Sequence, residues 1–199
     1  MDKKIRESFE ESIKVKQKII DENLFVPISV MGNHISEAMK KGKKLLICGN
    51  GGSAADAQHL AAELLVRLKP DHNRQGLPAI ALAMDTSTLT ACGNDFGFEK
   101  IFERAVQSLG NDGDILLVIS TSGNSKNIIL AIEEARKKNL KVYGFLGSNG
   151  GNAKKLCDEF FLVPGNKTAH IQEAHITAGH ALMENIENNL ISSGKIDLN

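Results

Sequence analysis

Residues 43–68, KKLLICGNGGSAADAQHLAAELLVRL, pass directly from an apolar run through a glycine-rich turn into a segment with helical spacing. The run KKLLIC (43–48) is continuously apolar rather than alternating, the mark of a strand covered on both faces. The same design recurs in PAIALAM (78–84), DILLVIS (114–120), KVYGFLG (141–147) and EFFLVP (159–164). Each run closes on turn-forming residues and leads into an amphipathic segment. Strands alternating with helices predict a three-layer α/β/α domain around a doubly wound, parallel, five-stranded sheet.

Outward from this core, residues 2–41 space their apolar positions as helices (Ile5, Phe9, Ile13, then Ile28, Met31, Ile35, Met39), with Asn23 and Pro27 near the break. They predict an N-terminal helical hairpin. A long final helix is expected from about Thr168, after Pro164 and Gly165, to about Ser192, before Gly194. With no repeat or linker in view, the expectation is one domain over 1–199: helices in 1–41, and the α/β core with its C-terminal helix in 43–192.

The chain has 199 residues, 24 Lys plus Arg against 24 Asp plus Glu, and 42% hydrophobic residues. A length of this order buries enough surface to fold without disulfide or metal staples. Balanced charge lacks the basic footprint of a nucleic-acid binder. Cys48, Cys92 and Cys157 are widely spaced and odd in number, which fits a reducing compartment. The charged start MDKKIRESFEESIKVKQK has no apolar signal core, and no run is long enough to span a bilayer. A cytoplasmic protein without membrane contact is expected.

Gly49, Asn50, Gly51, Gly52 and Ser53 lie between strand and helix, where free N–H groups and the helix dipole attract an anion. A tight turn needing glycine only for its geometry is the plainer alternative, and three glycines with Ser53 as a cap weigh against it. Gly49, Gly51 and Ala54 also satisfy the dinucleotide pattern G-x-G-x-x-A, but Asp85 lies well beyond the usual offset of ~20 residues for a ribose-binding acid. After the third run, Ser120, Thr121, Ser122, Gly123, Asn124 and Ser125 offer four hydroxyls at the start of a helix. They suit one phosphate monoester, and there is no Walker lysine pattern to suggest triphosphate hydrolysis. Both loops fall at strand carboxyl ends, the edge where open α/β sheets bind ligands.

In the helix after the glycine loop, Asp56, His59, Glu63 and Arg67 recur at i, i+3 and i+4 and form one polar stripe. His59 and Glu63 one turn apart can chelate a divalent metal or pair as base and orienting group, although charged stripes are also the ordinary surface of a helix. In the last helix, Gln172, Ile176 and His180 fall within an arc of about 80°. His175 points about 140° away from His180, so it and His170 read as capping, core or interface residues.

Taken together, CGNGGSAADAQH (48–59), ACGNDFGFE (91–99), ISTSGNS (119–125) and IQEAHITAGHALM (171–183) resemble the sugar isomerase (SIS) family, whose fold is flavodoxin-like. Within it they resemble the phosphoheptose isomerases. That resemblance implies a cytosolic homotetramer with active sites shared between subunits. It also implies conversion of sedoheptulose 7-phosphate, a phosphorylated seven-carbon sugar, to D-glycero-D-manno-heptose 7-phosphate, the first step towards nucleotide-activated heptose for lipopolysaccharide or other surface glycans.

The resemblance assigns substrate binding to Asn50, Gly51, Gly52, Ser53, Glu63, Asn94, Asp95, Ser120, Thr121, Ser122, Ser125 and Gln172, with the phosphate at the hydroxyl loop. It implies one zinc per subunit, held by His59, Glu63, Gln172 and His180, and makes Glu63 and His180 the acid/base pair. Glutamine is an unusual zinc ligand and a zinc-bound carboxylate is a poorer base, so the two roles of Glu63 compete. Ala169 stands where better-known members often carry Asp.

The main rival is a non-enzymatic binding protein of the same fold, of the DnaA initiator-associating type. Those proteins typically lack the carboxylate and histidine found here at Glu63 and His180. Other readings are a sugar-phosphate-sensing regulator and, more distantly, a dinucleotide oxidoreductase.

Overall fold

Strands this apolar leave neither face of their sheet wet, and helices cover both. The computed structural model describes residues 2–198; Met1 and Asn199, the ends of the expected domain, lie outside the described residues. The chain runs through α1 (Asp2–Asp21), α2 (Val26–Lys40), β1 (Leu45–Gly49), α3 (Gly52–Leu65), β2 (Ala79–Ala81), α4 (Thr86–Asp95) and α5 (Ile101–Leu109). It continues through β3 (Ile115–Ser120), α6 (Lys126–Lys137), β4 (Lys141–Gly147), β5 (Glu159–Val163) and α7 (Thr168–Ser192). The five strands are parallel in the order β2-β1-β3-β4-β5. This is the doubly wound order in which connections leave β1 in opposite directions and open a crevice between β1 and β3.

The period of two along each strand sorts the core into two layers. Leu45 and Ile47 of β1, Ile115 and Leu117 of β3, and Tyr143 and Phe145 of β4 pack under α1, α2, α3 and α7. Leu46, Cys48, Leu116, Val118, Val142 and Leu146 pack under α4, α5 and α6. The register that pairs Gly49 of β1 with Ile119 of β3 brings the glycine loop and the hydroxyl loop to one edge of the sheet.

Three local expectations need correction. β2 is only three residues long, and past it the chain leaves the sheet edge, with Met84 58% exposed. α3 ends at Leu65, so Arg67 lies beyond the helix and bonds the Pro70 carbonyl instead of completing the polar stripe. Ser53 is not the cap of α3. The cap is Gly51, whose φ of 56° suits a residue without a side chain, and Ser53 is buried in the first turn.

Asp85 caps α4 by accepting from the Ser87 N–H at 3.0 Å, a structural task that leaves the dinucleotide reading without its acidic residue. All three cysteines are free. Among the described residues, no helix is long and apolar enough to cross a membrane.

Candidate active site

The hydroxyl loop is organised by its own side chains. Ser120 Oγ accepts from the Gly123 N–H at 3.0 Å, and Ser122 Oγ accepts from the Asn124 N–H at 3.2 Å. Accepting fixes each oxygen yet leaves its O–H free to donate. Ser125 precedes α6 without a side-chain cap bond, so its hydroxyl, like that of half-buried Thr121, is not spent on the helix end. Converging hydroxyls at a helix N-terminus suit a dianionic phosphate.

Asn50 of the glycine loop meets Asn127 of α6 in a reciprocal pair: each amide nitrogen donates to the other's oxygen, at 2.9 and 2.8 Å. The pair ties one loop to the other and uses half of the Asn50 amide. Asn127, 3% exposed, escaped the sequence reading; its only signal there is a polar residue in the first turn of a helix that otherwise buries Ile and Ala.

Asn94 and Asp95 end α4 and bond each other, Nδ2 to Oδ1 at 2.8 Å. Asp95 lines a separate groove of about 600 Å³ with Met84, Phe96 and Arg104, and among the described residues no side-chain hydrogen bond joins Asn94 or Asp95 to the two loops.

The two helix stripes do meet. His59 Nε2 of α3 lies 2.8 Å from His180 Nε2 of α7 and 3.2 Å from Glu63 Oε1. One ligand atom from each of His59, Glu63 and His180 falls within 4.8 Å of the others. Gln172 of α7 reaches towards the glycine loop: a Cβ on Gly52 would meet its amide, so a side chain there would require the Gln172 amide to move.

Asp56, first in the stripe but not singled out as a site residue, sits beside this group. Burial pushes its carboxyl above the ordinary aspartate value, against the pull of the Gln172 amide and the fields of His59 and His180. Its Oδ2 is buried with no hydrogen-bond partner. Two imidazoles and a carboxylate converging on one point form a donor set that fits a divalent cation such as zinc.

The remaining histidines of α7 behave as the helical arc predicts. His175 is fully buried against Phe145 and Phe161, and desolvation lowers its pKa to about 4. His170 is buried with Nε2 3.4 Å from Ser8 Oγ, joining α7 to α1.

The SIS domain family model matches residues 8–147. The phosphoheptose isomerase of Clostridium acetobutylicum is 44% identical over 194 residues, covering 97% of each chain. The chain belongs to the phosphoheptose isomerase family of SIS domain proteins. The family member from Nitratiruptor sp. is 55% identical over 151 residues, covering 76% of this chain and 80% of that one. Among solved structures, the family's Neisseria gonorrhoeae phosphoheptose isomerase superposes with a TM-score of 0.86 at 40% identity, covering 94% of this chain and 98% of that one. Family membership makes the chain an isomerase and removes the non-enzymatic and oxidoreductase readings.

Proposed function

We propose that the chain, acting as one SIS domain over 1–199, interconverts sedoheptulose 7-phosphate and D-glycero-D-manno-heptose 7-phosphate. The observation that carries this is the meeting of His59 and Glu63 with His180 beside a glycine loop that is clasped to a phosphate-ready hydroxyl loop. Relatives 44–55% identical that carry the name phosphoheptose isomerase support it. In the cell, the product would enter nucleotide-activated heptose synthesis for lipopolysaccharide or other surface glycans, in the cytoplasm.

The 7-phosphate is held by Ser120, Thr121, Ser122 and Ser125, and the sugar lies along Asn50–Ser53 towards Gln172, with Asn94 and Asp95 completing the site. Glu63 removes a proton from C1 of the ketose, and the electron pair moves through C1–C2 onto the carbonyl oxygen to give an enediolate. His180 takes the O1 proton and delivers it to O2, and Glu63 returns its proton to C2, leaving the aldose. Glu63 has two carboxylate oxygens, so one can face His59 while the other works. Zinc held by His59, Glu63, Gln172 and His180, when bound, would supply Lewis-acid stabilisation of charge on the sugar oxygens.

The open position of His59, with half its side chain exposed, supports a site closed by a neighbouring subunit, since proton transfer of this kind needs water excluded. The outer stripe of α1 points the same way: Ile5, Phe9 and Ile13 are 55%, 70% and 63% exposed, an apolar face suited to burial in a homotetramer.

The test is turnover of sedoheptulose 7-phosphate in deuterated water followed by NMR, with chelator and with added zinc. Aldose heptose 7-phosphate is expected, with loss of turnover on chelation; deuterium at C2 reports exchange of the Glu63 proton with solvent before its return, and an unlabelled product reports a shielded Glu63. No product under any metal condition would overturn the proposal.

A further inference from the structure

Arg74 and Glu187 carry their charges inside the protein, at 7% and 1% exposure. Burying an ion pair is expensive, and an apolar pair of similar volume often serves stability as well or better. Here nearly every donor is used. Arg74 Nε donates to Glu187 Oε1 at 3.1 Å, one terminal nitrogen to the carbonyls of Leu64 and Gln75 at 2.9 and 3.0 Å, and the other to the carbonyl of Glu63 at 2.9 Å. His72 Nδ1 approaches the same Glu187 oxygen at 3.0 Å, and Glu187 Oε2 is buried without a partner.

Two of these carbonyls belong to the last turn of α3, whose C=O groups have no helical donors of their own. A cation there also matches the negative end of the helix dipole. Glu187 lies about two turns beyond His180 on the same face of α7. One guanidinium therefore ties the backbone of Glu63 itself to the helix face that presents His180. The segment 70–76, which carries no regular structure, places it there.

We infer that Arg74, anchored by Glu187, is a positioning residue that sets where Glu63 stands relative to His180. This rests on the reading above, in which those two residues move the protons. A pair serving stability alone would lower the melting temperature when broken and leave the site geometry of the folded protein intact.

The discriminating variant is Arg74→Lys, which keeps a positive charge opposite Glu187 but cannot fork across the Glu63 and Leu64 carbonyls. Three things are measured: kcat and KM for sedoheptulose 7-phosphate, and the ring ¹H–¹⁵N signals of His59 and His180 in the substrate-free protein. A displacement of a fraction of an ångström should lower kcat at least ten-fold, by order of magnitude, with KM held within about three-fold. The His59 and His180 signals should shift while those of His170 and His175 stay in place.

Lys69→Ala, which removes the exposed Lys69–Glu184 pair bridging the same segment to α7, should change none of these. A folded Arg74→Lys with parental kcat and unmoved His59 and His180 signals would overturn the inference. Should Arg74→Lys not fold, Glu187→Gln keeps volume and acceptor, and the same readings decide. A parent protein without turnover would refute the isomerase reading instead, and the ring signals would then judge the brace alone.

Discussion

The hydroxyl loop and the α3–α7 helix pair, the two halves of the proposed site, are assembled by different means. The loop is held largely from within: Ser120, Ser122, Gly123 and Asn124 bond within a few residues of one another, the strand before and helix after place them, and the N–H groups of Asn152 and Ala153 add bonds to Asn124 Oδ1 and the Gly123 carbonyl. The helix pair is non-local: His59 and His180 stand 121 residues apart in the chain and converge only because α3 and α7 pack on the same face of the sheet. Damage to the loop should therefore weaken binding in small steps, whereas damage to the helix pair should remove the chemistry outright.

Glu63→Gln gives the largest expected effect. Loss of a proton handler should lower kcat by about 10³-fold, with KM changed far less, and His180→Gln should behave similarly. Metal content measured on both variants separates the two tasks of Glu63: retained metal with lost turnover identifies a base, and joint loss identifies a ligand. Full turnover in both variants would refute the proposed acid/base pair.

A second effect contrasts two histidines of the same helix. His175 has a folded pKa of about 4 against an ordinary value of 6.5. Below 6.5 the unfolded chain takes up a proton that the folded chain refuses, so stability is full above 6.5 and falls as pH drops towards 4. The loss amounts to roughly 3 kcal/mol. Denaturant midpoints across this range should fall more steeply for the parent than for His175→Leu, and identical slopes would show that His175 does not titrate in the unfolded chain alone.

Smaller changes belong to the loop. Thr121→Val and Ser125→Ala should each raise KM about five- to ten-fold, as expected for one lost hydrogen bond, with kcat little altered. A kcat collapse in either would blur the division between loop and helices. Smallest is Asp85→Ala, which should cost about 1 kcal/mol of stability through the lost cap of α4 and leave both kinetic constants unchanged. Kinetic damage there would reopen a ligand role for Asp85.

Much of this architecture is legible in the residues. The run KVYGFLG matches β4, and Pro164, Gly165 and Gly194 bound α7 at Thr168 and Ser192 as the turn chemistry requires. Continuous apolar runs announce buried parallel strands, and the 3.6-residue period separates Gln172 and His180 from the buried His175. Where the reading fails, a local pattern continues past the point where the tertiary structure supports it. PAIALAM has apolar residues enough for a longer strand, yet only three pair with β1, because β2 is the sheet edge and nothing lies beyond it to hold the rest. Arg67 continues the spacing of a stripe whose helix has already stopped.

The sequence by itself determined the layered sheet, the two strand-to-helix loops and the polar faces of α3 and α7, because each follows from the period and turn chemistry of neighbouring residues. Only the tertiary structure decided which polar groups share one space: His59 against His180, Asn50 against Asn127, Asp56 under Gln172, and Arg74 between Glu63 and Glu187. Such pairings depend on how packed helices rotate and slide by fractions of a turn. That is settled by the fit of Leu, Ile and Ala side chains across the core rather than by any pattern within one helix.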